Sequence, residues 1–169
     1  MREELEKSIL VGSFDEAKAL FKLLDFSVFS EMMLEITFNN LSIVNYSFIV
    51  HLLLEDDSSK IHDLAYLLLS QPLCHVEGAY CSAYYHAKKA AQLTDFNDVK
   101  MLENLLFLHI VPEKIVSDQE AQEVAQKILL IDAKNAVANE LIKGEISCNI
   151  SGSGNWWRSK WNKQHYMHT

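Results

Sequence analysis

Apolar residues along this chain recur three and four positions apart, the spacing that gathers them on one face of an α-helix. After Ser13 they are Ala17, Leu20, Phe21 and Leu24. After Ser117 they are Ala121, Val124, Ala125, Ile128 and Leu129. Both serines are followed three residues later by a glutamate, Glu16 and Glu120. That is the capping-box pattern: the hydroxyl takes a first-turn N–H, and the carboxylate reaches back to the N–H of the cap. The same periodicity predicts further helices near 3–11, 28–38, 42–55, 59–70, 77–93, 97–109 and 135–145. Turn-forming residues separate them at Asp25-Phe26-Ser27, Asn39-Asn40, Asp56 to Ser59, Gln71-Pro72, Thr94-Asp95 and Pro112-Glu113. The nearest thing to a strand, FSVFS from Phe26 to Ser30, is short.

The second half contains an internal echo. Residues 87–103 (AKKAAQLTDFNDVKMLE) align with 125–141 (AQKILLIDAKNAVANEL) at an offset of 38. Ala87 meets Ala125, Lys89 meets Lys127, Asn97 meets Asn135, Val99 meets Val137, and Leu93 meets Ile131. In each copy a helix is expected to end, a short polar turn to follow, and a new helix to begin near the Asn. Such periods mark stacked helical hairpins, because one hairpin cannot bury its apolar face alone. The stretch ILLIDAKNAVA at 128–138 resembles the helix end and Asp-Pro-x-Asn turn of tetratricopeptide-type repeats. Ala133 stands where that family prefers Pro, and the period exceeds the family's, which is about 34. The resemblance covers residues 60–145 and implies stacked antiparallel hairpins with a groove that binds another protein.

Composition supports helices: 5 Gly and 2 Pro in 169 residues disfavour a turn-rich β fold. The expected fold is therefore all-α, a single domain of stacked antiparallel hairpins, either a tetratricopeptide-like superhelix or an irregular helical bundle. Residues 1–150 would form it, and residues 151–169 a tail opening on the linker-like Ser-Gly-Ser-Gly-Asn. The sparse, odd set Cys74, Cys81 and Cys148 gives no disulfide framework and points to a reducing, cytoplasmic setting. The charged start Arg2, Glu3, Glu4, Glu6 does not read as a leader. The longest apolar run, Ile43 to Leu54, is shorter than the ~18 residues of a membrane span and holds Asn45, Ser47 and His51.

The formal charge is -8. Residues 155–169 carry Arg158, Lys160 and Lys163 without an acid, so the remainder carries -11. An acidic body repels nucleic acid and anionic lipid and attracts a basic protein partner. The tail, where Trp156, Trp157 and Trp161 mix with those cations, is the one segment suited to bases and phosphates or to an anionic surface; folding back on the acidic body is the favoured reading.

Catalytic motifs are missing: there is no G-x-S-x-G, no Gly-rich phosphate loop and no H-E-x-x-H. His51, His62, His75, His86 and His109 are scattered. Cys74, His75, Glu77, Cys81 and His86 are ligand types for zinc, but the seven-residue gap between the cysteines lacks a close pair, so no metal or other cofactor is expected. A non-enzymatic protein-binding module follows. If the helices at 59–70, 97–109 and 135–145 line a groove, its polar residues would be His62, Asp63, Asp98, Glu103, Asn104, Asn139 and Glu140. The acidic run Glu55, Asp56, Asp57 would receive Lys or Arg, and Tyr80, Tyr84 and Tyr85 with His86 would add an aromatic patch, Tyr80 and Tyr84 lying one turn apart. In size, charge and helicity the chain is similar to the immunity proteins of bacterial toxin systems, which implies a basic toxin as partner; the alternatives are a small enzyme with an unidentified pocket, or nucleic-acid contact through the tail.

Overall fold

The computed structural model describes residues 1–144. Among these it forms nine helices and no strand: α1 (Arg2–Leu10), α2 (Phe14–Phe21), α3 (Phe26–Asn40), α4 (Ile43–Leu53), α5 (Ser59–Ser70), α6 (Ala79–Leu93), α7 (Val99–Ile110), α8 (Asp118–Ile131) and α9 (Ala136–Ile142). The all-α expectation holds, and the helices pack against each other in a single domain. The expected boundary at residue 150 and the tail at 151–169 lie outside the described residues.

α1 packs on α2, and from α4 onward each helix packs on the next, while α3 meets α2 and α4 through the Phe29 ring. More distant pairs meet as well: α1 with α3 and α4, α2 with α4, α3 with α5 and α7 with α9. Asp63 of α5 bonds Asn104 of α7, Tyr46 of α4 reaches His86 of α6, and Tyr84 of α6 reaches Glu120 of α8. The order is that of two rows, α3-α5-α7-α9 and α2-α4-α6-α8, a layout compatible with a helical repeat fold. The echo falls on two consecutive hairpins, α6–α7 and α8–α9. The first helices end 38 residues apart, at Leu93 and Ile131, but the N-caps Asp98 and Asn135 are 37 apart. The first turn is one residue longer, and Asp95 and Phe96 take up the extra length with φ of 51° and 54°. Asp98, not Asn97, therefore caps α7, accepting the N–H groups of Lys100 and Met101.

The FSVFS segment is helical. Phe29 is fully buried, with ring centroids 4.5 Å from Phe21 and 6.3 Å from Phe48, so tertiary packing outweighs the local strand preference. Of the two expected capping boxes neither is complete. The N–H of Ser13 is already bonded to the Ser8 carbonyl at 2.9 Å, closing the turn after α1. Nothing is left there for Glu16 to reach back to, and the Ser13 side chain makes no cap bond. At Ser117 the hydroxyl does accept the N–H of Glu120, but the Glu120 carboxylate accepts from the Tyr84 hydroxyl at 2.8 Å instead.

α5 is the centre of the molecule: every residue from Ile61 to Ser70 is buried. It can sit close to α6 because α6 turns Ala79, Ala83, Ala87, Ala90 and Ala91 inward, and side chains this small let two backbones approach. Pro72 follows α5, and Gly78, in the left-handed region at φ 77°, opens α6. No helix of the described residues is long and apolar enough to cross a membrane.

Candidate functional site

The tight α5–α6 hairpin brings together two histidines 24 residues apart in sequence. His62 lies in the first turn of α5 and His86 midway along α6; both are buried. Their Nδ1 atoms are 2.7 Å apart, so a single proton lies between them. His62 Nε2 is 2.8 Å from Asp57 Oδ1, and His86 Nε2 is 2.9 Å from the Tyr46 hydroxyl.

Asp57 is a carboxylate and can only accept, so His62 Nε2–H donates to it. Of the two Nδ1 atoms one must donate and the other accept. With His86 Nδ1–H as the donor, His86 Nε2 accepts from the Tyr46 hydroxyl; with His62 Nδ1–H as the donor, His62 is an imidazolium opposite Asp57 and His86 Nε2–H donates to Tyr46. In both arrangements Tyr46, His86, His62 and Asp57 form one unbroken hydrogen-bonded chain and the His86 ring is neutral. Burial, and then the neighbouring His62, push the His86 pKa down to about 4, which agrees with a neutral ring. The bond from His62, followed by that from Lys89, holds Asp57 below the usual carboxylate range. Burial pushes the Tyr46 hydroxyl upward.

All four ring nitrogens are thereby occupied, which leaves neither imidazole a free lone pair for general-base work. The surface end of the chain is more open. Tyr85 stands edge-on to both rings, with centroids 6.1 Å from His62 and 5.1 Å from His86, and is 61% exposed. Lys89, one turn beyond Tyr85, pairs with Asp57 at 3.2 Å. Asp56, in the same loop, is exposed. The Tyr85 ring, the Lys89 ammonium and the Asp57 carboxylate thus border the hydrogen-bonded histidine pair, with exposed Asp56 next to Asp57 in the loop.

No family model, characterised protein or solved structure matches the chain.

Most of the residues singled out from sequence tie the helices together. Asp63 is buried and accepts from Asn104 Nδ2 and Lys100 Nζ, each at 2.7 Å. Glu103 is buried and accepts from Asn135 Nδ2 at 2.7 Å; burial raises its carboxyl pKa. The helices proposed to line a groove are neighbours in one row, yet His62, Asp63, Glu103 and Asn104 are buried rather than facing solvent. Asp98 caps α7, and the Asn139 amide bonds the carbonyls of Ala133 and Asn135. Glu140 is half-buried on α9. Of the acidic run, Glu55 pairs with Lys18 at 2.7 Å and Asp57 with His62 and Lys89. Tyr84 donates to Glu120 and accepts from Lys88, while Tyr80 packs against the core. The cysteine-histidine cluster does not assemble: Cys81 is exposed, Cys74 is half-buried, and His86 is committed to His62 and Tyr46. Among the described residues no three ligand-type side chains converge on a point.

Tyr85 belongs to the aromatic patch expected from sequence, but Lys89, Tyr46 and the pairing of the two histidines have no such signal in the local pattern. One signal was available: the midpoint of His62 and His86 is Cys74, inside the turn between α5 and α6, so an antiparallel hairpin sets the two side by side.

Proposed function

We propose that this chain is a non-enzymatic protein-binding module that takes a basic partner on the surface around Tyr85. The observation that carries the reading is the 61% exposure of Tyr85 beside the acidic loop. A tyrosine supplies contact area with few rotors to freeze, and it is held here against a fixed hydrogen-bonded floor, the preorganisation that favours an interface anchor. Asp56 offers a carboxylate to an incoming Lys or Arg, and the body charge of -11 speeds encounter with a basic surface. Commitment of every imidazole nitrogen favours binding over catalysis. In its narrower form the partner is a basic toxin domain that this chain neutralises, a reading that rests on size, charge and helicity.

The test is affinity capture from lysate of the source cells with the wild-type chain and with Tyr85→Ala and Asp56→Lys. Both positions are exposed, so circular dichroism should show the fold unchanged. A basic protein retained by wild type and lost by both variants supports the reading. Retention by all three moves the interface elsewhere, and absence of any stoichiometric partner in repeated trials defeats it.

A further inference from the structure

The last hairpin leaves apolar surface open. On α8, Leu130 is 87% exposed and Ile131 45%, and on α9, Ile142 is 44% exposed. A stack of hairpins needs its terminal unit covered, because that unit has no following neighbour to bury its outer face. α9 has 7 residues and is followed by Gly144 in the left-handed region at φ 71°, a helix-ending conformation. The chain continues from that point for 25 residues, 145–169, and these include Ile146, Ile150, Trp156, Trp157 and Trp161. They also include Arg158, Lys160 and Lys163 with the single acid Glu145, a charge of +2 against -10 for residues 1–144. From Gly144 to Trp156 is 12 residues, which extended span up to roughly 40 Å, so nothing about reach forbids contact with the adjacent hairpin.

We propose that the segment after Gly144 is the cap of the helical stack, its tryptophans covering the exposed apolar side chains Leu130 and Ile131 of α8 and Ile142 of α9. The occupant is intramolecular because it begins three residues after Ile142, it carries bulky apolar groups to set against these side chains, and its charge is opposite to that of the body.

The three tryptophans of the chain all lie between 156 and 161, so tryptophan emission of the intact protein reports on this segment alone. The native full-length chain should emit to the blue of the urea-unfolded chain and be shielded from acrylamide quenching. Leu130→Glu, and more fully Leu130→Glu with Ile142→Glu, should move the emission to the unfolded position while circular dichroism keeps its helical signal. Leu23→Glu, in the 72% exposed position after α2 at the other end of the chain, is the control and should leave emission unmoved. Native emission already at the unfolded position overturns the proposal. So does blue emission indifferent to both α8–α9 variants, blue emission that shifts equally with Leu23→Glu, or blue emission that appears only as protein concentration rises, which would make the occupant a second copy.

Discussion

The chain from Tyr46 to Asp57 should make folding stability sensitive to mild acid through one residue, His86. Its imidazole is 3% exposed, ringed by His62, Tyr46 and Tyr85, with Asp57 and Lys89 beyond His62. Its pKa is about 4 in the folded chain against 6.5 for an ordinary histidine. The unfolded chain therefore binds a proton that the folded chain refuses. The contribution is present in full above pH 6.5 and is eroded as pH falls from there through the folded value of about 4. The whole window corresponds to about 3 kcal/mol, and the part between pH 7 and pH 5 to about 2 kcal/mol. Carboxylates with lowered values, Asp57 beside His62 and, elsewhere in the chain, Glu55 and Asp118, lose their contributions at lower pH, while Glu103, whose value is raised, works in the opposite direction. The comparison that isolates His86 is His86→Asn, whose amide can still bond His62 Nδ1 but leaves the Tyr46 hydroxyl without its ring-nitrogen partner. Urea denaturation followed by circular dichroism at pH 7 and pH 5 is the assay. The variant should be about 1–3 kcal/mol less stable at pH 7. It should then lose about 2 kcal/mol less than wild type on going to pH 5, so that the two converge. Equal losses in wild type and variant would refute the reasoning, as would a His86 ring resonance that titrates near the ordinary histidine value.

Three further outcomes follow from the same packing. Asp63→Ala strands the wholly buried Asn104 amide and should cost about 1–3 kcal/mol in thermal or chemical unfolding; a variant as stable as wild type would remove the α5–α7 tie from the account. Asn135→Ala deletes both the cap of α9, an acceptor for Ala138 N–H, and the bond to buried Glu103. It should cost about 1–2 kcal/mol and raise amide exchange selectively in α9, whereas uniform exchange across the chain would speak against a local role. Ala87→Leu places a large side chain on the fully buried face that α6 turns inward, and overpacking should lower stability by about 1–3 kcal/mol; an unchanged midpoint would mean that this face is not close-packed.

The helices were legible because their apolar spacing and their breakers, Pro72, Pro112 and the Asp and Asn turns, are local signals. The roles of the polar residues were not, because a side chain's partner lies on another helix. Ser13 has the sequence of a capping residue, yet its N–H is taken by Ser8 before Glu16 can use it. The site was obscured in the same way. The one-turn spacing pairs Tyr84 with Tyr80 in sequence, but Tyr84 bonds Glu120 of α8 while its neighbour Tyr85 faces out.

His62 and Asp63 carry a more general point about polar residues in strongly apolar helices. They precede Leu64, Ala65, Tyr66, Leu67, Leu68 and Leu69, a run with no polar face. A helix apolar on all sides is buried on all sides, so its few polar groups cannot line a solvent groove. They must be satisfied inside, and the partners come from whatever the neighbouring helices present: Asp57 and His86 for His62, Lys100 and Asn104 for Asp63. Each tie has a fixed geometry, unlike the leucines around it, which pack against many partners equally well. A shift of one helix along its neighbour would leave the apolar contacts nearly as favourable but strand a histidine or a carboxylate in the core, at about 1–3 kcal/mol for a neutral group and more for a charged one. That penalty sets the register of α5 against α6 and α7, and with it the position of Tyr85 over the histidine pair. The polar core and the exposed tyrosine are therefore linked: substitutions at His62 or His86 should disturb the proposed binding at Tyr85 even where the fold survives.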